Sequence, residues 1–142
     1  MAHDVCPWWM GYFLLNPLRR FINNPGQTLG RHVSPAMNVM DIGCAMGFFS
    51  LPLAKLVGKD GKVVCIDLQE RMISTLIKRA KKAGLHDRIE ARVCTSNSLG
   101  IEDIKEKMDF TLAFAVVHEV DDKKRFFAEI YSAMKPGAKL LI

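Results

Sequence analysis

A chain of 142 residues can bury one sizeable core, and 49% hydrophobic with 25% charged residues is the balance of an ordinary globular domain. Cys6, Cys44, Cys65 and Cys94 form no C-x-x-C pair and no metal-ligand spacing, so no metal site is expected and the thiols fit a reducing cytoplasm. The net charge of +5 raises the question of a nucleic-acid surface, which the placement of the lysines has to answer.

The chain divides into residues 1–35, read as an N-terminal helical segment, and residues 36–142, read as an α/β domain. Trp8, Trp9, Tyr12, Phe13 and Leu15 fall close together on helical spacing. That run starts too early and lacks the basic lead of a signal peptide, and it is too short to cross a bilayer. Asn16 can cap a second short helix with Pro17 at its first position, Leu18, Phe21 and Ile22 as its stripe, and Asn24-Pro25-Gly26 as its end. Three readings stay open: a helical pair packed on the sheet, a lid over a ligand, or a membrane-surface helix with Arg19 and Arg20 beside its aromatics.

The apolar run Val39–Ile42 then ends in a loop from Gly43 to Gly47, and a helical pattern follows. In an α/β sheet this strand–loop–helix turn is where a nucleotide-like ligand binds. Glycines let a ligand approach the backbone, and the helix start offers free N–H groups. A second apolar run, residues 62–67, ends on Asp67, placed to accept hydrogen bonds from both hydroxyls of a ribose. The loop Gly43-Cys44-Ala45-Met46-Gly47 lacks the G-x-G-x-x-G spacing of dinucleotide binders, which disfavours a nicotinamide-dependent oxidoreductase. Phe48 and Phe49 follow it where a P-loop needs Lys and Ser/Thr. Asp41, two residues before Gly43, would repel phosphate and suits a ligand bearing a cationic amine.

Strands are expected near 38–43, 62–67, 89–94, 108–114 and 138–142, and helices near 48–57, 69–83 and 121–135, with room for a shorter one near 99–106. Near-continuous apolar strands alternating with helices mean a parallel sheet covered on both faces, a Rossmann-like doubly wound fold. Pro52 sits early in its helix, where a missing N–H is tolerated. In the helix over 69–83, Met72, Ile73, Leu76, Ile77 and Ala80 recur at helical spacing, which leaves Lys78, Arg79, Lys81 and Lys82 on a solvated outer face. A nucleic-acid surface would want interleaved aromatics, and this helix has none. Lys59-Asp60-Gly61 and Lys135-Pro136-Gly137 are turn signals before strands.

These motifs resemble the class I S-adenosylmethionine-dependent methyltransferases, most closely small-molecule enzymes of the quinone-methylase type. Val39, Met40, Asp41, Gly43 and Gly47 match the family's first motif, with Ala45 at its middle glycine. Residues 81–93, 108–120 and 134–142 resemble later segments of the same fold. The resemblance implies strand order 3-2-1-4-5, S-adenosylmethionine as cofactor and S-adenosylhomocysteine as product. It implies cofactor contacts from Asp41, Gly43, Cys44, Ala45, Gly47, Asp67, Leu68, Phe114 and Ala115, with Ser96 and Asn97 standing where the family often has an acid near the adenine. Phe114-Ala115-Val116-Val117 replaces the Asn/Asp-Pro-Pro-aromatic motif of enzymes that methylate exocyclic amines of nucleic-acid bases.

Methyl transfer is an in-line displacement, so the protein mainly holds acceptor, methyl and sulfur in line, with a base added in some enzymes. His118 and Glu119, just past the fourth strand, are the candidates for that base. The rival from another class is a cofactor-binding module that is catalytically incomplete and acts through a partner. The family normally adds a helix and two strands after the fifth strand. Without them residues 138–142 would be an open, largely apolar edge, through which self-association is expected, with fraying of the last residues as the alternative.

Overall fold

The computed structural model describes residues 24–142. The helical pair expected over 8–22, its lid and membrane-surface readings, and Cys6 all lie outside the described residues. Five strands, β1 (Asn38–Ile42), β2 (Lys62–Asp67), β3 (Ile89–Val93), β4 (Met108–Leu112) and β5 (Met134–Leu141), form one sheet in the order β3-β2-β1-β4-β5. All its pairings are parallel. The expected strand order is the observed one.

Alternation along each strand divides the core in two. Val39, Val63, Cys65, Phe110 and Leu112 face one side, under α1 (Pro25–Leu29), α2 (Ser50–Val57) and α3 (Glu70–Lys82). Met40, Ile42, Val64 and Ile66 face the other, under α4 (Lys123–Ala133), which contributes Phe126, Ile130 and Ala133. Burial on both faces is why these strands read as continuous apolar runs. In α3, Met72, Ile73, Leu76 and Ala80 form the buried stripe. The helix stops where Gly84 turns to φ +69 and Leu85 N–H bonds back to Ala80 O at 2.9 Å. Asp122 caps α4 by accepting from Arg125 N at 2.9 Å.

Three local expectations need correction. Asn24-Pro25-Gly26 starts a helix instead of ending one: Pro25 opens α1, at a position whose N–H needs no partner. No helix forms over 99–106. Gly100 takes φ +67, Ile101 and Ile104 turn inward to the core, and Arg92 holds the segment through Gly100 O at 2.9 Å and Asp103 at 2.6 Å. Lys135-Pro136-Gly137 is no separate turn. It lies within β5 as a bulge, the register jumping from Met108↔Met134 to Phe110↔Lys139.

Candidate functional site

The carboxyl ends of β1, β2 and β4 and the loops after β3 and β4 enclose a cavity of about 420 Å³. It lies at the crevice where open α/β sheets take their ligands. The connection from β1 into α2 supplies its floor. Gly43 N and Cys44 N both bond to Ile66 O, at 2.8 and 3.1 Å, and Gly47 N bonds to Cys44 O at 2.9 Å. Ala45, in the left-handed region at φ +48, donates its N–H to Asp67 Oδ2 at 2.9 Å. The other Asp67 oxygen accepts Gln69 N at 2.9 Å. Asp67 therefore staples the end of β2 to the loop after β1. Burial pushes its carboxyl up, against the pull of these backbone donors.

Both glycines are also closely packed. A Cβ on Gly43 would lie 2.9 Å from the Val116 side chain, and one on Gly47 would lie 2.4 Å from Leu76. Both have positive φ, +72 and +90. Arg79, expected on the solvated face of α3, instead reaches back and donates to Met46 O in the same loop.

Asp41 is 2% exposed, and its Oδ2 accepts Ser50 Oγ–H at 2.6 Å. Among the described residues no cation pairs with it. Burial pushes its carboxyl up to about 7, with the Ser50 bond opposing and the nearby Asp67 charge adding to the rise. Burial likewise raises the Cys44 thiol, and the Cys94 thiol to about 11, so both stay protonated at neutral pH.

Across the cavity the loop after β4 is far more open. Phe114 is 37% exposed and stacks edge-on against Phe49 with centroids 5.1 Å apart, while Phe49 meets Phe48 at 4.9 Å. Ala115 takes φ +56. His118 Nε2 lies 3.9 Å from Glu119 Oε1, with His118 72% exposed. Burial raises the Glu119 carboxyl, and His118 lowers it.

Of the residues singled out from sequence, Asp41, Gly43, Cys44, Ala45, Asp67, Leu68, Ser96, Phe114, Ala115, His118 and Glu119 come together on this cavity. Gly47 and Asn97 are not on its wall: Gly47 packs under Leu76, and Asn97 turns its N–H to Thr95 Oγ1 at 3.3 Å. Residues not singled out also line it, notably Phe48, Phe49, Gln69 and Arg125. Phe48 and Phe49 follow the loop directly. Arg125 is signalled by its place in the first turn of a helix that begins at the sheet's carboxyl edge.

A family profile described as a methyltransferase domain matches residues 33–142. The chain belongs to this family. It is similar to an arsenite methyltransferase from Halobacterium salinarum, 28% identical over 110 residues, covering 78% of this chain and 27% of that protein. It is also similar to a demethylmenaquinone methyltransferase from Listeria welshimeri, 25% identical over 108 residues, covering 76% of this chain and 44% of that protein. This methyltransferase-family chain thus spans less than half the length of either relative. A crystal structure of a SAM-dependent methyltransferase from Aquifex aeolicus superposes with a TM-score of 0.87 at 28% identity, covering 96% of this chain and 71% of that one. Among the described residues, no helix is long and apolar enough to cross a membrane.

Proposed function

We propose that the chain binds S-adenosylmethionine across the carboxyl ends of β1, β2 and β4 and transfers its methyl group to a small-molecule acceptor. The observation that carries this reading is the pair of acids on one cavity: Asp67 stapled at the end of β2, and Asp41 buried with no cation beside it among the described residues. Two carboxylates repel a polyphosphate and suit a ligand that brings a ribose and positive charge. The residues present therefore fit the cofactor, and the family membership and the Aquifex aeolicus likeness support it.

When bound, the cofactor supplies an electrophilic methyl group on a sulfonium. Asp67, which accepts Ala45 and Gln69 N–H on one oxygen each, would offer its remaining lone pairs to the ribose hydroxyls. Asp41 stabilises the cationic amine. Gly43, Cys44, Ala45 and Leu68 line the path, with Phe114 and Ala115 at the methionine end and Ser96, beside Asn97, at the base end. Gly47 acts indirectly, by letting α3 close on the loop. Phe48, Phe49 and Phe114 keep water from the transfer. His118, with Glu119 beside it to hold the imidazolium, takes the acceptor's proton. The small-molecule class follows the named substrates of the relatives, arsenite and a quinone.

Calorimetric titration of the 142-residue chain with S-adenosylhomocysteine and with NAD tests this. Heat with the first and none with the second is expected, and binding of NAD alone would overturn the reading. Three further assignments belong to it. The free thiols Cys44, Cys65 and Cys94 support a cytoplasmic location. Of the segment 1–35, Leu29 and Val33 are core residues, so the lid role is proposed for the part that precedes residue 24. The β5 edge, bonded only to β4 among the described residues, is the surface for self-association, which light scattering reads as a concentration-dependent mass.

A further inference from the structure

The far wall of the cavity, residues 95–99 after β3, is tied to one turn of α4 at two points. Arg125 donates from Nη2 to Ser96 O at 2.9 Å. Glu129, one turn on, accepts Leu99 N on Oε2 at 2.7 Å, and its Oε1 lies 3.6 Å from Arg125 Nη1. The two charged side chains thus grip both ends of the loop and each other. Inside this grip the loop closes on itself, Thr95 N bonding to Ser98 O at 3.1 Å. Cys94 N–H bonds to Asp67 O at 2.9 Å, which ties the start of the loop to the residue read as the ribose anchor. Arg125 Nη1 is buried, has no hydrogen-bond partner among the described residues and faces the Glu129 carboxylate.

The sheet order says what this wall faces. On the cofactor reading above, with the methionine end at β1 and β4 and the ribose at β2, the base would project toward β3 and the loop that follows it. We propose that Arg125, paired with Glu129, is a positioning residue that sets the 95–99 loop at the register from which it reads the purine edge. The proposal rests on the cofactor reading above. Arg125 acts through the loop: its Nη2 is committed to Ser96 O and its Nη1 faces Glu129. Adenine presents an amino donor and a ring acceptor where hypoxanthine presents a carbonyl acceptor and a ring donor. A loop fixed in place discriminates between these patterns, because the wrong base leaves buried polar groups unpaired. A loop set free does not.

The test is calorimetry on the full chain with S-adenosylhomocysteine and S-inosylhomocysteine. The wild-type chain should prefer the adenine ligand. Arg125→Met should weaken that ligand by about 10-fold while leaving the inosine ligand within about 2-fold, so that the preference collapses. Arg125→Lys, which can still donate to Ser96 O, should recover part of the preference. Equal weakening of both ligands in Arg125→Met, or an unchanged preference, would overturn the proposal. Should Arg125→Met fail to fold, Glu129→Gln decides the matter. It keeps an acceptor for Leu99 N but loses the charge, so the preference should drop and amide exchange at 96–99 should quicken; no change in either overturns the proposal. Failure of the wild-type chain to bind S-adenosylhomocysteine overturns the cofactor reading and this inference together, whereas retained binding with an unchanged ratio overturns only the inference.

Discussion

The loop after β1 and the loop after β4 face each other across one cavity and are built in opposite ways. The first, Gly43–Gly47, is closed by backbone N–H bonds to Ile66 O and to the Asp67 carboxylate, and its glycines are packed against Val116 and Leu76. The second presents Phe114, His118 and Glu119 with much of their surface in water, and its short turn is held by Glu119 N to Val116 O at 3.0 Å. One loop is a fixed frame whose residues are dictated by packing. The other packs Val116 against the frame and leaves His118 and Glu119 with few contacts. A cofactor shared across a family suits the frame, and an acceptor that varies suits the open side.

The largest effect should come from breaking the frame. Gly47→Ala places a Cβ 2.4 Å from Leu76 Cδ1 at φ +90. Strain and overpacking together should cost about 2–4 kcal/mol in urea unfolding. Gly100→Ala is the control, since its φ is +67 but nothing lies within 4 Å of the added carbon. It should cost only about 1 kcal/mol. Equal costs for the two would mean that packing against α3 is not what holds the loop.

Asp41 sharpens the contrast through pH. Its carboxyl titrates near 7 in the folded chain, above its ordinary 3.8, because burial disfavours the charge. The unfolded chain therefore releases this proton first. The contribution is fully present below about pH 4 and is lost as pH rises toward 7, by up to about 1.4 kcal/mol per pH unit. Asp41→Asn should lack that slope, so that the difference between the two stability curves carries it. Affinity for a cationic ligand should run the other way, rising through pH 7 in the wild-type chain and flat in the variant. A wild-type slope identical to that of the variant would mean that Asp41 stays ionised in the free chain.

Asp67→Ala should cost about 1–2 kcal/mol of stability, since Ala45 N–H and Gln69 N–H lose a charged acceptor while a burial penalty is also relieved. Its affinity for S-adenosylhomocysteine should fall by at least about 10-fold. Unchanged affinity in a folded variant would remove Asp67 from the binding role.

The same contrast explains what could be read from the chain alone. β1 and β2 were legible because burial on both faces leaves runs such as Val63-Val64-Cys65-Ile66 nearly without polar residues. The strand order followed from the family resemblance carried by the motifs around Asp41 and Asp67. Gly43 and Gly47 were legible as a loop but their packing was not, because Val116 and Leu76 arrive from distant parts of the chain. Arg79 looked like one more solvated charge, since helical spacing reports where a side chain starts and not that its head returns to Met46. The turns over 99–106 escaped notice because Ile101 and Ile104 mimic a helical stripe while Gly100 breaks it. Arg125 and Glu129 are a helical turn apart, a spacing common to surface ion pairs, and only the folded loop shows what they hold.

The smallest stability effect belongs to the open side, where it matters most for function. His118 is 72% exposed, so His118→Ala should change unfolding free energy by less than about 0.5 kcal/mol. Cofactor affinity should also hold, because no bond of the frame passes through the imidazole. If His118 takes the acceptor's proton, methyl transfer should nevertheless slow by about 100-fold or more. Glu119→Gln should slow it less, since Glu119 acts on the imidazole from 3.9 Å and not on the acceptor. A loss of rate in His118→Ala matched by an equal loss of cofactor affinity would place His118 in the frame. An unchanged rate would leave the open side with apolar walls alone, and catalysis there would rest on alignment.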